Sequence, residues 1–255
     1  MLHYQEIGEG TPLVILHGLF GSGDNWRSLA KDFSGQARVI LVDMPNHGSS
    51  PHTDDMHYEA MAGAVQELIE ELGLGPVVLL GHSMGGKVAM ALALSAPKLV
   101  RGLVVADIAP RTYSPRHHEI IKAMQEVAAA APPSRREADG ILAARIPSTA
   151  VRSFLLKSFK PDGGGGYGWA LNIDAIAACY EHLVSWPEIE GHYEGPVLFI
   201  GGGKSDYVEP DDIDDIQRLF PHAALESIDD AGHWLHVEQR ETFTDLILSF
   251  LSEHA

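Results

Sequence analysis

The chain has 255 residues, of which 45% are hydrophobic and 21% are charged, a composition typical of one large α/β domain. Its formal net charge of −17 excludes a general nucleic-acid-binding role, because affinity for phosphates requires an excess of lysine and arginine. Cys179 is the only cysteine, which excludes an intrachain disulfide and a cysteine-based metal site.

The N-terminal residues lack the basic segment followed by an apolar core that marks a secretory signal. No apolar run in the sequence approaches the roughly 18 residues that are needed to span a bilayer. We therefore expect a cytoplasmic protein without a membrane span. The sequence leaves its oligomeric state open.

Short apolar runs alternate with amphipathic segments along the first 110 residues. The runs are too short for helices and predict strands at residues 2–7, 12–16, 38–43, 77–80 and 102–110. Helical spacing of apolar residues predicts the intervening helices at residues 25–33, 61–72 and 87–94. This alternation predicts a parallel sheet with helices on both faces and a ligand site beyond the carboxyl ends of the strands.

The strand at residues 77–80 leads into Gly81-His82-Ser83-Met84-Gly85 and then directly into a helix. A Gly-x-Ser-x-Gly sequence between a strand and a helix is the pattern of a nucleophile elbow, a sharp turn that exposes the serine hydroxyl. Gly81 and Gly85 leave room where the strand and the helix nearly touch. Ser83 is therefore the predicted nucleophile.

The strand at residues 12–16 leads into the sequence His17-Gly18-Leu19-Phe20-Gly21. This architecture places a backbone N–H of such a loop beside the nucleophile as an oxyanion donor. We assign the donor to Leu19, with Phe20 as the alternative, and the second donor to Met84. His17 is expected to bond to the backbone of its own loop. The later loop that contains Asp43 and His47 lacks the spacing of ligands that a metal site needs.

Residues 111–190 break the alternation with short helical stretches and a flexible glycine loop at 163–166. This segment contains nine basic and nine acidic residues, whereas the rest of the chain carries the whole net charge. We predict an all-helical cap at residues 111–190 inserted into a core formed by residues 1–110 and 191–255. The predicted substrate-binding side chains are aromatic: Phe20, Phe154, Phe159, Trp169 and Trp234, with Tyr167 beside them.

After the predicted cap, residues 196–201 form a strand and lead into a loop that contains Asp206. A last strand at residues 224–228 precedes Gly232-His233-Trp234, and a closing helix spans residues 242–251. A serine needs a base within hydrogen-bond reach to act as a nucleophile. The candidate bases are His233, the nearby His236 and the elbow residue His82.

These motifs, in this order, resemble the α/β-hydrolase fold over essentially the whole chain. Asn46-His47-Gly48, the elbow with Lys87, Asp107-Ile108-Ala109-Pro110 and Gly232-His233-Trp234 are similar to the pattern of YbfF-type bacterial esterases and of abhydrolase-domain protein 11. The resemblance implies a mostly parallel eight-stranded sheet with a cap after the sixth strand. It also implies hydrolysis of carboxyl esters through Ser83, His233 and an aspartate, with no cofactor and no metal.

Two aspartates compete for the role of the acid that orients His233. Asp206 follows the strand after the cap, where this fold most often carries its acid. The resemblance to YbfF-type esterases instead implies the aspartate of their Asp-Ile-x-Pro motif, which is Asp107 in this chain. The resemblance favours Asp107, and Asp206 stays open as the alternative.

The substrate class is less determined than the reaction type, because one fold hosts many activities. We expect short-to-medium acyl esters as substrates. The alternatives are acyl-CoA thioesters, with basic cap residues meeting the CoA phosphates, and perhydrolysis or C–C bond hydrolysis. A ligand-binding protein with a vestigial site is the alternative outside the enzymes.

Overall fold

A seven-stranded sheet forms the centre of the computed structural model, which describes residues 1–254. Ala255, the last residue of the predicted core segment, lies outside the described residues. The strands are β1 (Tyr4–Ile7), β2 (Thr11–Leu16), β3 (Ala37–Val42), β4 (Val77–His82), β5 (Val100–Ala106), β8 (Val197–Gly202) and β9 (Ala223–Ile228). Strands β6 (Phe159–Pro161) and β7 (Tyr167–Trp169) form a separate antiparallel pair.

The sheet has the strand order β1-β3-β2-β4-β5-β8-β9, and all its strands except β1 run parallel. The sheet is mostly parallel as predicted, but the expected count of eight strands is wrong. Only three residues, Gly8 to Gly10, separate β1 from β2, so these two strands follow each other with no further strand between them. The insertion consequently follows the fifth strand and not the sixth.

Helices cover both faces of the sheet because alternate residues of each buried strand point to opposite sides. Val14 and Ile40 belong to one hydrophobic cluster, whereas Ile15 and Leu41 belong to the other. The helices are α1 (Arg27–Phe33), α2 (Tyr58–Glu71), α3 (Met84–Ser95), α4 (His118–Ala130), α5 (Arg135–Leu142), α6 (Thr149–Leu155), α7 (Ile173–Ala178), α8 (Tyr180–Val184), α9 (Ile213–Leu219), α10 (Leu235–Glu238) and α11 (Arg240–His254). Helices α2 and α3 contribute to the first cluster, and α1 and α11 to the second.

Residues 111–190 contain helices α4 to α8. The prediction that this segment is all helical is wrong, because it also contains two strands. The β6–β7 pair interrupts the helices and joins its strands through the glycine loop at 163–166. The Asp162 side chain accepts hydrogen bonds from the N–H groups of Gly164 and Gly166, which stabilises this turn. The last helical stretch of this segment is divided at Cys179 into α7 and α8.

The turn between β4 and α3 depends on the absence of side chains at two positions. A Cβ atom on Gly81 would lie 2.2 Å from the carbonyl oxygen of Gly85. A Cβ atom on Gly85 would lie 2.3 Å from the carbonyl oxygen of Leu16. Both obstacles are backbone atoms, so neither contact is relieved by rotation of a side chain.

Replacement of Gly81 by alanine is expected to lower the free energy of unfolding by about 3 kcal/mol, because strand and helix must separate to admit the methyl group. The matched control is Gly63→Ala in helix α2, where a Cβ atom meets nothing within 4 Å. This control is expected to stabilise the protein by about 1 kcal/mol through helix propensity. Urea unfolding measures both changes, and equal midpoints for Gly81→Ala and the wild type would contradict this account of the turn.

None of the helices within residues 1–254 combines the length and the apolar character needed to cross a membrane.

Candidate active site

Ser83 lies at the tip of the turn between β4 and α3, with a left-handed backbone (φ 53°, ψ −119°). A positive φ is uncommon for a residue other than glycine, and it persists only where the surrounding structure enforces it. The Ser83 N–H donates to the carbonyl oxygen of Ala106 on the neighbouring strand β5 at 3.0 Å. The strained turn and this anchor project the hydroxyl beyond the carboxyl ends of the strands.

A continuous chain of hydrogen bonds links Ser83, His233 and Asp107. The distance from Ser83 Oγ to His233 Nε2 is 3.1 Å, and the distance from His233 Nδ1 to Asp107 Oδ2 is 2.7 Å. Asp107 is fully buried. Because its carboxylate can only accept a hydrogen bond, the ring proton of His233 lies on Nδ1, and Nε2 is left free to accept from the serine. The geometry therefore matches a hydroxyl held beside an oriented base.

Asp107 receives support from the loop that follows strand β8. The Gly202 N–H donates to Asp107 Oδ1 at 2.9 Å, and the Ser205 hydroxyl donates to Asp107 Oδ2 at 2.5 Å. Hydrogen bonds to a carboxylate stabilise its charged form in a buried place. Sequence reasoning missed Ser205, although its position directly before Asp206 at a strand's carboxyl end was a usable signal.

Asp206, the alternative acid, pairs with an arginine of the inserted segment and not with His233. Its carboxylate accepts a hydrogen bond from Arg116 Nη1 at 2.6 Å, and its side chain is 59% exposed. Hydrogen bonding to the Arg116 guanidinium lowers the pKa of the Asp206 carboxyl below its usual value. The structure thus brings Asp107 to the histidine and pairs Asp206 with an arginine.

The amides of Leu19 and Met84 flank Ser83, and neither donates to a residue within the described chain. The alternative amide, that of Phe20, is occupied because it donates to His47 Nε2 at 3.2 Å. His47 Nδ1–H in turn donates to the carbonyl oxygen of Pro45, which leaves Nε2 as an acceptor. Two free N–H groups next to a nucleophile are the arrangement that stabilises an oxyanion. Phe20, the predicted alternative to Leu19, therefore has its amide already bonded in this structure.

Two other buried histidines near the site bond to backbone groups, and a third stacks on an aromatic ring. His17 Nδ1–H donates to the carbonyl oxygen of Gly18, and Nε2 accepts from the Met44 N–H. His82 Nε2–H donates to the carbonyl oxygen of His233 and so fixes the loop that carries it. Burial, followed by the nearby His233, lowers the pKa of His82 to about 3, so this ring stays neutral. His236 stacks on Trp26 with the ring centroids 4.3 Å apart.

Two spaces open beside Ser83. The larger, which we call the main cavity, has a volume of about 170 Å³ and is lined by Phe20, His117, Phe154, His233 and Trp234 among others. The smaller, which we call the side pocket, has a volume of about 40 Å³ and is lined by Met84, Lys87, Tyr113, Tyr180 and Tyr207 among others. Leu19 and His117 line both spaces.

Three of the predicted substrate-binding aromatic residues line the main cavity, namely Phe20, Phe154 and Trp234. Phe159 and Trp169 line neither the main cavity nor the side pocket, so their prediction is wrong. They pack against each other with the ring centroids 4.9 Å apart, and Tyr167 stacks on Phe159 at 5.7 Å. Pairing of β6 with β7 turns these rings into the core of the inserted segment itself.

Lys87 is a buried cation of the side pocket that sequence reasoning did not single out. Its ammonium donates to the carbonyl oxygens of Val184 at 3.1 Å and Ser185 at 2.6 Å. It also lies 4.8 Å from the ring centroid of Tyr113. Burial, followed by repulsion from Arg111, lowers the pKa of Lys87 to about 7. The contacts link the elbow helix to the end of helix α8.

Among the described residues, no group of three or more histidine, cysteine, aspartate or glutamate side chains has an arrangement that could hold a metal ion. Asp43, for example, accepts from the N–H groups of Gly23 and Ser49 and shapes its own loop.

Comparison with known proteins places this geometry in context. Residues 11–239 match the family model of the alpha/beta hydrolase fold. Over 252 residues the chain is 42% identical to the sn-1-specific diacylglycerol lipase ABHD11 of Danio rerio, covering 96% of this chain and 79% of that protein. It is 38% identical over 244 residues to esterase YbfF of Escherichia coli K12, covering 95% and 94%.

Among solved structures, a marine microorganism esterase is 41% identical to this chain and superimposes with a TM-score of 0.94. The alignment covers 98% of each chain. Similarity of this extent includes the sheet, the inserted segment and the loops at the carboxyl ends of the strands.

Proposed function

The chain belongs to the α/β-hydrolase fold family and is a carboxylic ester hydrolase of the YbfF type, and from this premise we propose that it acts through an acyl-enzyme on Ser83. The proposed substrates are short-to-medium acyl esters. The observation that carries the proposal is the hydrogen-bonded chain of Ser83, His233 and Asp107 beside two free amides.

In the first half of the reaction, Ser83 Oγ attacks the acyl carbon while His233 Nε2 takes the hydroxyl proton. The carbonyl oxygen becomes an oxyanion, which the N–H groups of Leu19 and Met84 stabilise. Asp107 holds His233 in the required tautomer and stabilises its positive charge. Protonated His233 then delivers the proton to the leaving alkoxide, so that the alcohol departs and the acyl group stays on Ser83.

In the second half, His233 takes a proton from a water molecule, and the hydroxide attacks the same acyl carbon. The oxyanion forms again at the two amides. Collapse of this intermediate breaks the bond to Ser83 Oγ, which regains its proton from His233. The carboxylic acid leaves, and the site returns to its starting state without a cofactor.

We treat residues 111–190 as a cap over a core formed by residues 1–110 and 191–255. Phe154 from this segment packs against Trp234 from the core, with the ring centroids 5.4 Å apart, and both rings line the main cavity. The cavity volume of about 170 Å³ is below the roughly 300–1,000 Å³ of sites that hold drug-sized ligands. A small, mainly apolar cavity supports a short-to-medium acyl group.

An acyl-CoA thioester is the second candidate, because the cap carries basic residues that could meet CoA phosphates. Several of them already have carboxylate partners: Arg111 pairs with Asp212, Arg145 with Glu126, and Arg152 with Asp139. An arginine bound to a neighbouring carboxylate is less available to a phosphate. These ion pairs favour the oxygen ester over the thioester.

We expect kcat/KM for p-nitrophenyl butyrate to exceed kcat/KM for palmitoyl-CoA by at least about tenfold, a difference of about 1.4 kcal/mol in transition-state binding. Hydrolysis of the first substrate is followed by absorbance and that of the second by thiol release. A clear advantage of palmitoyl-CoA would replace the ester proposal by the thioester alternative.

A fluorophosphonate probe separates an enzyme from a binding protein with a vestigial site. We expect the probe to label Ser83, which peptide mass spectrometry locates, and p-nitrophenyl acetate to be turned over. A protein that leaves both reagents unchanged would be a binding protein, and labelling of a serine other than Ser83 would contradict the mechanism.

A further inference from the structure

His117 lies where the main cavity and the side pocket meet, directly before helix α4. It is a residue of the proposed cap, and its ring packs edge-on against Phe20 at a centroid distance of 6.0 Å. The mechanism above assigns it no task. Its hydrogen bonds, however, determine which ring nitrogen carries a proton.

Three groups converge on the Tyr180 hydroxyl. The N–H groups of Arg116 and His117 donate to its oxygen at 2.9 Å and 2.8 Å. The third contact, from the Tyr180 oxygen to His117 Nδ1, is 2.9 Å. A phenol oxygen has two lone pairs and one proton, so with both lone pairs occupied the hydroxyl proton is directed to Nδ1. His117 Nδ1 is therefore an acceptor, and the proton of the neutral ring is on Nε2.

The Nε2–H group makes no hydrogen bond to any residue in the range 1–254, and the ring lines both spaces beside Ser83. Burial, followed by the nearby His233, lowers the pKa of His117 to about 4, so the ring is neutral at pH 7. A neutral donor here avoids repulsion with His233 when that base becomes positively charged. The cap thus presents one oriented, uncharged N–H group to a mainly apolar site.

We propose that His117 is a specificity-determining residue whose Nε2–H donates to an additional acceptor oxygen of the ester substrate. This inference rests on the proposed ester hydrolysis at Ser83. The favoured substrates are esters that carry an ether, hydroxyl or second carbonyl oxygen close to the scissile ester, in either the acyl or the alcohol part. An ester with CH₂ in place of this oxygen leaves the N–H group without a partner. An unpartnered donor that is shielded from water costs binding free energy.

Two pairs of isosteric substrates locate this oxygen. For the acyl part, p-nitrophenyl methoxyacetate is compared with p-nitrophenyl butyrate, in which CH₂ replaces the ether oxygen. For the alcohol part, 2-methoxyethyl butyrate is compared with n-butyl butyrate in a pH-stat. The measured quantity is the ratio of kcat/KM within each pair, so the different intrinsic reactivities cancel when the wild type is compared with a variant.

His117→Phe keeps a planar ring and removes the donor, so we expect the preference for the oxygenated ester to fall about 3- to 10-fold in one of the two pairs. The pair that responds identifies the acyl or the alcohol side. The matched control is His118→Phe, an exposed neighbour that lines neither space, for which both ratios should stay at the wild-type value. Unchanged ratios in both pairs for His117→Phe would overturn the proposal.

The tautomer is tested separately in the wild-type protein. Long-range ¹H–¹⁵N correlation spectra of the histidine rings should show His117 with a protonated Nε2 and a bare Nδ1, and Tyr180→Phe should lose this preference. A protonated Nδ1 in the wild type would refute the inference even if His117→Phe failed to fold. Fluorophosphonate labelling of Ser83 separates a failure of the proposed function from a failure of this inference. A wild-type protein that is not labelled contradicts the ester mechanism. A labelled protein whose kcat/KM ratios do not change in His117→Phe contradicts only the role of His117.

Discussion

Replacement of Ser83 by alanine is expected to lower kcat for p-nitrophenyl butyrate by about 10⁵- to 10⁶-fold, the scale of loss known for nucleophilic serines that act together with a base. In the proposed mechanism the hydroxyl forms the covalent bond to the acyl carbon, and no other serine has His233 as a partner in the described structure. The residual rate reports what the two amides and the cavity contribute without the nucleophile.

Ser95→Ala is a suitable control because Ser95 ends the same helix and its hydroxyl donates only to carbonyl oxygens of that helix. Its kcat should stay near that of the wild type. Thermal unfolding of both variants separates a loss of chemistry from a loss of structure. More than about 1% of wild-type activity in well-folded Ser83→Ala would show that another group performs the attack.

The second large effect is expected at Asp107. Asp107→Asn should reduce kcat by about 10⁴-fold, because an amide in this position favours the wrong tautomer of His233 and cannot stabilise its positive charge. The fully buried carboxylate also accepts from Gly202 and Ser205, so few rearrangements are open to a replacement. Steady-state kinetics at one pH, with p-nitrophenyl butyrate, measures the change.

Asp206→Asn is the matched comparison, since it makes the same chemical change at the competing aspartate. Its side chain is 59% exposed and pairs with Arg116, and an exposed ion pair contributes at most about 1 kcal/mol to stability. We expect kcat to change by less than about 3-fold. A loss at Asp206→Asn equal to that at Asp107→Asn would reverse the assignment of the acid.

The elbow illustrates which features a sequence can predict. Gly81, Ser83 and Gly85 lie within five consecutive residues. Their roles follow from steric contacts between one strand and the next helix. The same holds for the parallel strands, because a buried strand needs a short apolar run on both faces. Local rules of this kind were sufficient to predict the order of the elements and the position of Ser83 at the turn between β4 and α3.

The choice between two aspartates illustrates what those rules do not reach. Asp107 and Asp206 both follow a strand of the sheet, and each is more than 25 residues from His233 along the chain. In the structure Asp107 meets the histidine, whereas Asp206 pairs with Arg116, a residue of the inserted segment. Likewise, Phe159 and Trp169 do not line the cavity, because the short strands β6 and β7 that carry them pair with each other. Strands this short carry little periodic signal in a sequence.

The sequence alone therefore determined the fold family and the parallel sheet, because each depends on patterns within a few residues or on loops that this architecture uses repeatedly. Only the tertiary structure shows that His233 contacts both Ser83 and Asp107 and that the Leu19 amide has no partner among the described residues. Each of these depends on hydrogen bonds between groups that are distant in the chain, and a donor is assigned only when all its competing partners have positions in space.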